Sequence, residues 1–499
     1  MNNNVLIYKT KPTYPDGEYS FSPSEKYPEY PFSEIAGDRN DVYDAVREGL
    51  RLYGLDSENY GKESWNPLGA YIKPGDTVLI KPNLVREFNR IRENGMLCVI
   101  THPSVIRALS DYALIALKGA GKLVIGDAPI QQCDFEKLVS EQKIDRIMEF
   151  YNKHSCGTIV ELRDFRNFKS YYENGAYHEV KNESCNGIFV DLGKDSSFGD
   201  IPDERYKRLR ITNYPKDIML RHHTPEKNEY LISTYMLGAD VVINLCKPKT
   251  HRFAGVTIAL KNMIGINANK ELLPHHSTGS RQEHGDESDK KSFVKALFSK
   301  LDDTRNKKNR QKQYFAARVC HFLEFNVLEK IIKAFYKDAN ELFGMGHKND
   351  TIWRTIIDIN KIVFFADKQG RLHDTPQRKM LVVGDMIVSG HESGPLMPAP
   401  KDVGVIAIGE NPVCFDEAIC SYMGFDFNKI PTIANAAKIN GKYSFGASAE
   451  PVIISNLPKL NNKKLSELRP EDVQNFTPHP AWKDFLQADS LVANVEKNR

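Results

Sequence analysis

No C-x-x-C pair occurs in this chain, although it holds eight cysteines, at 98, 133, 156, 185, 246, 320, 414 and 420. Their scatter offers no zinc knuckle and no iron–sulfur cassette, and it predicts buried or free thiols in a reducing compartment. No run of eighteen apolar residues is present, and the opening MNNNVLIYKTKPTYPDG lacks the charged head, apolar stretch and cleavage site of a secretory signal. The expectation is a cytoplasmic protein. The G-x-x-x-x-G-K-[ST], H-E-x-x-H and G-x-S-x-G motifs are all missing, and Gly119-Ala-Gly121 runs into a strand instead of opening a helix. Kinase, zinc-peptidase, serine-hydrolase and dinucleotide-fingerprint readings all lose ground. A strong charge of one sign is lacking too: 68 Lys and Arg against 65 Asp and Glu leave +3, too little to imply a nucleic-acid partner.

What the chain does have is size and alternation. Its 499 residues, 41% hydrophobic and 27% charged, can bury a large core. Short runs, apolar on both faces, recur at Thr77–Lys81, Leu123–Asp127, Val241–Leu245, Met380–Gly384, Gly404–Gly409 and Val452–Ser455, the pattern of central strands in a covered sheet. Helical periodicity over Pro103–Gly121, with Thr101 as N-cap candidate, and over Asn411–Gly424 fills the gaps between strands. The fold class expected is α/β: a mixed or mostly parallel sheet covered by helices, two lobes with a ligand cleft, and a helical insertion. The division reads as an arm (1–40), a first lobe (41–285), a basic helical insertion (286–350), a second lobe (351–460) and a tail (461–499).

Within the insertion, Lys290 to Lys312 carries nine Lys or Arg against two Asp. Tyr314 to Lys337 follows as an amphipathic helix with Phe315, Val319, Phe322, Ile331 and Phe335 on one side. The bland expectation is a solvated charged stretch leading into a packing helix. Contact with a membrane surface through 290–337 is the alternative, and the absence of aromatic–basic interleaving argues against specific nucleic-acid binding.

Residues following the strands are chemically rich: Lys81-Pro82-Asn83, Asp127-Ala128-Pro129, Lys247-Pro248-Lys249-Thr250-His251 and Asp385. In open α/β sheets such loops converge on one edge, where ligands bind. His251 to Gly265 adds a small Ala254-Gly255 pair, the Thr257 hydroxyl, Lys261 and Asn262 along a stretch of expected loop–helix character. Lys261, in an apolar run, is a candidate for a lowered pKa suited to proton transfer, imine chemistry or tethering. Catalytic roles are expected for His251, Lys261 and Lys249. Ligand binding is expected for Lys81, Asn83, Asp127, Lys247, Ala254, Gly255, Thr257, Asn262, Gly265 and Asp385. His275 and His276 are candidate ligands for a divalent metal, with at most one of the two expected to serve.

These blocks, together with Thr101-His-Pro103, Ala239-Asp-Val-Val-Ile-Asn244, Gly394-Pro395 and Asn411-Pro-Val-Cys-Phe-Asp416, resemble the bacterial and archaeal family catalogued as domain of unknown function 362, over most of residues 70–435. Some of its members carry ferredoxin-type cysteine clusters; this chain has none of that spacing, and no iron–sulfur cluster is expected. More distantly, His251, Ala254, Gly255, Thr257 and Lys261, followed by His275 or His276, are similar to the H-x-x-A-G-x-S-G-G-x-K motif and later histidine of the nickel-pincer lactate racemases. In that family the lysine tethers a nucleotide-derived cofactor and the later histidine ligates nickel. Ile258-Ala259 replaces the racemase glycine pair, and Asp127-Ala-Pro129 stands where a catalytic histidine would be expected. The resemblance therefore implies a shared pocket location, without implying nickel or racemase activity.

The leading expectation is an enzyme that binds a small anionic substrate or a nucleotide-like cofactor and performs Lys/His acid–base chemistry, closer to isomerase or oxidoreductase than to hydrolase or kinase. The alternative is a non-catalytic accessory protein for surface-polysaccharide or cofactor assembly.

Overall fold

Leu79 packs on one side of a sheet while its neighbours Val78 and Ile80 pack on the other, and Val242 opposes Val241 and Ile243 in the same way. Both faces of these strands are covered by apolar side chains, which is why their sequences read as unbroken hydrophobic runs instead of alternating with polar residues. A computed structural model describes residues 1–89, 95–154, 157–173, 176–336, 339–446 and 449–487. Cys156, Lys337 and the end of the tail, 488–499, lie outside the described residues.

In chain order the elements that frame the site are β1 (Val5–Lys9), α1 (Asp41–Leu52), β2 (Thr77–Lys81), α2 (Pro103–Leu117), β3 (Lys122–Asp127), β4 (Ile159–Asp164), β5 (Val241–Cys246), β6 (Lys249–His251), β7 (Gly255–Thr257) and the single helical turn α3 (Ala259–Asn262). There follow α4 (Phe293–Arg310), α5 (Tyr314–His321), a π-helical segment (Phe322–Leu328), α6 (Glu329–Phe335), α7 (Ile352–Phe365), β8 (Lys379–His391), β9 (Ala399–Gly409), α8 (Pro412–Met423), β10 (Val452–Ser455) and β11 (Lys463–Lys464).

All eleven strands belong to one mixed sheet in the order β11-β10-β1-β9-β8-β5-β2-β3-β4, with the β6–β7 hairpin attached to β8. β8, β5, β2, β3 and β4 run parallel to their neighbours in this series, and β9 is antiparallel to both β1 and β8. The six expected strands are present, and the sheet is the mixed, mostly parallel α/β arrangement the sequence predicts. β5, from the range 41–285, pairs directly with β8, from the range 351–460, running from Val241↔Lys379 to Cys246↔Gly384. Strand pairing between distant segments has closed the two into one layer. The arm contributes β1, seated between β9 and β10.

Two helices show how local sequence sets the frame. α8 starts where Asn411 Oδ1 accepts from the N–H groups of Val413 and Cys414, with Pro412 in its first turn, and stops at Gly424 in the left-handed conformation. α2 has His102 as its N-cap, whose Nδ1 accepts from Ser104 N at 3.2 Å. Thr101, expected in that role, instead donates its hydroxyl to Leu245 O at 3.0 Å and accepts from Asn83 N at 2.9 Å, tying β2 to β5.

Candidate functional site

Because β2, β3 and β5 are parallel, Lys81, Asp127 and the segment after Cys246 emerge at the same sheet edge. β8 runs on past this edge and carries the hairpin, through Lys249↔Gly390. In β6 the side chains of Lys249 and His251 share a face, and Thr257 of β7 stands opposite Lys249. The motif spacing of two residues thus aims an ammonium, an imidazole and a hydroxyl together. The stretch 251–257, expected as loop–helix, is a turn and a strand; helical backbone begins only at Ala259.

The three side chains open into a cavity of about 220 Å³ that is also lined by Lys81, Asn83, Asp127, Lys261, Asn262, Gly265 and His275. Lys81, wholly buried, pairs with Asp127 at 2.7 Å and donates to Pro82 O at 2.8 Å and Asn262 Oδ1 at 3.1 Å. Asp127 also accepts from Leu84 N at 2.6 Å and Ala128 N at 2.9 Å. Asn262 accepts from Asn83 Nδ2 at 3.0 Å and donates to Asn244 Oδ1 at 2.8 Å, while Lys249 donates to Asn83 Oδ1 at 2.8 Å and to the Val99 carbonyl. Asn83, Asn262 and Asp127 therefore have their polar atoms engaged as scaffold.

Three groups in the same wall are not engaged in this way. Thr257 Oγ1 is buried without a hydrogen-bond partner among the described residues, as is Nε of Arg252, and the Lys261 ammonium makes no hydrogen bond or ion pair among them. Lys261 is held in place by its backbone: Asp416 of α8 accepts from Ala259 N at 2.8 Å and Leu260 N at 3.2 Å, and Asn360 of α7 donates to Leu260 O at 2.9 Å. Asp416 caps the turn much as an N-cap carboxylate does.

The lining holds five cationic side chains, Lys81, Lys249, Arg252, Lys261 and Lys270, and one carboxylate, Asp127. Burial strips water from these ammonium groups and disfavours their charged forms: Lys249 is lowered to about 7, Lys261 to about 8 and Lys270 to about 7. Neighbouring cations lower Lys261 further. Lys81 is lowered as well, its burial outweighing the pull of Asp127.

The two imidazoles in the wall are oppositely polarised. His251 Nδ1 accepts from Phe253 N at 3.0 Å and Ala254 N at 3.1 Å, so a neutral ring carries its proton on Nε2. His275 Nδ1 lies 2.7 Å from Leu273 O, which can only accept, so here the proton sits on Nδ1 and Nε2 is the acceptor. Burial, with Lys261 the next contribution, holds His251 well below the usual histidine range and pushes His275 down to about 3. Both rings are neutral at pH 7, one a donor and one an acceptor.

Five expected site residues lie elsewhere. Lys247 is fully buried in an ion pair with Asp385 at 3.0 Å and donates to Tyr14 Oη at 2.7 Å; Tyr14 in turn donates to Asp385 at 2.6 Å and stacks on His102 at 3.9 Å. This knot fastens the arm to the sheet and offers nothing to the cavity. Gly255, at φ +77°, allows Trp482 to pack on the hairpin turn, and Ala254 serves His251 through its N–H. His276 turns away from His275 towards Glu287, 3.6 Å off, and Phe343. The two imidazoles do not converge, and among the described residues no three His, Cys, Asp or Glu side chains cluster as a metal would need. Arg252 and Lys270 were not singled out in the sequence. Arg252, adjacent to His251, was the legible one; Lys270 reaches the cavity only because a 3-10 turn, Lys270–Leu272, folds back.

The family model described as domain of unknown function (DUF362) matches residues 78–421. No curated protein matches the chain. Among solved structures, a crystal structure of a protein from Thermotoga maritima is similar at 12% identity and a TM-score of 0.29, over 75% of this chain and 57% of that one. The chain thus spans less than two thirds of that protein's length. The matched segment 78–421 contains every residue that lines the cavity, and the protein belongs to the family described as domain of unknown function (DUF362).

Proposed function

We propose that the cavity binds a small anion, a carboxylate or phosphate ester, from which His275 takes a proton and returns it while His251 donates a hydrogen bond. The observation that carries this reading is the imbalance of the lining: five cationic side chains face one carboxylate, and that carboxylate is already spent on Lys81. A buried cation without a counter-charge is costly, and an anion entering the cavity relieves that cost. Thr257 Oγ1 and the Lys261 ammonium are the free donors for it.

The chemistry follows from the rings. A neutral His275 with a bare Nε2 accepts a proton from the bound anion and gives it back, while a neutral His251 with a protonated Nε2 donates a hydrogen bond and, with the lysines, holds the charge that develops. Such a pair suits enolisation and isomerisation at a carbon next to a carboxylate. The distant resemblance to lactate racemases supports the same place in the fold, because His251, Thr257, Lys261 and His275 all belong to the lining. With a pKa near 8, Lys261 also has a sizeable amine fraction at neutral pH, the form needed for an imine or an amide tether to a nucleotide-derived cofactor.

Titration calorimetry against phosphate, simple 2-hydroxy and 2-oxo acids and nucleotides tests the binding. Incubation of each binder in D2O, followed by NMR for loss of a carbon-bound proton, tests the chemistry. Binding without exchange would leave a carrier or accessory protein; no binding at millimolar concentration of any anion would end the reading.

A further inference from the structure

The helical arm over residues 314–335 was expected to pack through its apolar side, and it does the reverse. Phe315, Val319, Leu323, Val327, Ile331 and Phe335, spaced four apart, are all exposed, with Phe315 at 82% and Phe335 at 80%, and Phe322 joins them at 58%. Inward go Ala317, Glu324 and Ile332, the last packing with Phe298 of α4, and Glu324 pairs with Arg305 of α4 at 2.8 Å.

A repeat of four residues does not stay on one face of an ordinary α-helix. Each step turns about 40° too far, and five steps carry Phe335 about 200° away from Phe315. Here the middle of the arm, Phe322–Leu328, is π-helical, with wider i→i+5 turns that unwind this drift. The widening keeps Ile331 and Phe335 on the outer face with Phe315, so that the arm presents one continuous apolar stripe.

Charge decides what this stripe meets. From Lys312 to Tyr336 the only acids are Glu324, buried by Arg305, and Glu329, tied to Lys333 at 2.6 Å. Arg318 and Lys330 are exposed beside the stripe and have no carboxylate partner among the described residues. Lys307 and Lys308 precede it in the last turn of α4, and Lys312 follows in the connection to α5. No helix among the described residues is long and apolar enough to cross a membrane. An exposed apolar stripe of Phe, Leu, Val and Ile bordered by lysine and arginine is instead the composition of a helix lying in the plane of a bilayer.

We infer that the arm 314–335 docks on an anionic lipid bilayer, its phenylalanines entering the acyl boundary and Arg318 and Lys330 reaching the headgroups. The test uses the full chain and sedimented vesicles of phosphatidylcholine alone or with 30% phosphatidylglycerol. The expected result is co-sedimentation with the anionic vesicles, at least tenfold weaker on neutral ones and weaker again at high salt. A Phe315→Ser, Phe322→Ser, Phe335→Ser variant should lose it by tenfold or more with an unchanged melting temperature, and Arg318→Glu with Lys330→Glu should lose it on anionic vesicles alone. No co-sedimentation at low salt, or vesicle binding that survives the triple serine change, would overturn the inference. So would a wild-type dimer that the serine changes convert to monomer, since a second copy would then be what covers the stripe.

Discussion

A Cβ on Gly265 would overlap Oδ1 of Asp127 and lie 2.6 Å from Nζ of Lys81. The glycine is therefore the space in which the cavity's one buried ion pair is formed, and its backbone carbonyl fixes the same loop by accepting from Ala128 N at 2.8 Å. Gly265→Ala should push the carboxylate off the ammonium and lower stability by about 3 kcal/mol, the scale of breaking a buried pair. Urea unfolding of the variant checks this; a loss under about 1 kcal/mol would mean the loop can shift aside.

Lys261→Met should weaken anion binding by roughly tenfold to a hundredfold, the worth of one charged hydrogen bond. Its melting temperature should hold or rise, because the substitution removes a desolvated charge that no carboxylate balances. Calorimetry and a thermal melt separate the two effects. If the variant unfolds, Lys261 supports the fold and the binding site is elsewhere.

The pH response has a definite sign. Lys249, Lys261 and Lys270 titrate near 7, 8 and 7 in the folded chain against 10.5 when free. Between those limits the unfolded chain binds more protons, so the ligand-free protein should gain stability from these groups as pH rises from about 7 towards 10. Anion binding should run the other way, taking up protons and weakening between pH 7 and 9. Melting curves across this range, compared with those of a Lys249→Met, Lys261→Met, Lys270→Met variant, isolate the contribution.

Lys247 and Asp385 should behave as structure. Either Lys247→Met or Asp385→Leu alone leaves the other charge buried beside Tyr14 and should cost about 3 to 5 kcal/mol, whereas the two together should cost less than either alone. Anion affinity in the folded fraction should be unchanged. A double variant worse than both singles would show that Tyr14 and the His102 N–H, which donates to Asp385 at 2.9 Å, need the pair intact.

Much of the frame was legible because it is local. Runs apolar on both faces define covered strands, Asn411-Pro412 and Gly424 mark the ends of a helix, and strand alternation puts Lys249 and His251 on one face. Amphipathicity of 314–335 was legible too. Which side of that arm faces out was not, since it depends on Phe298 and Arg305 taking Ile332 and Glu324.

The sequence by itself determined the elements and the chemistry each can present. Only the tertiary structure decided which groups meet. Lys247 and Lys249 are two residues apart and look equivalent, yet β5 ends at Cys246 and β6 begins at Lys249. Pro248 lies between, so the alternation does not carry across it. One ammonium is then claimed by Asp385 and by Tyr14, far away in the chain, and the other is left to the cavity. Local backbone geometry sets where a side chain leaves the chain; the partner it finds is set by long-range packing, which no run of neighbouring residues encodes.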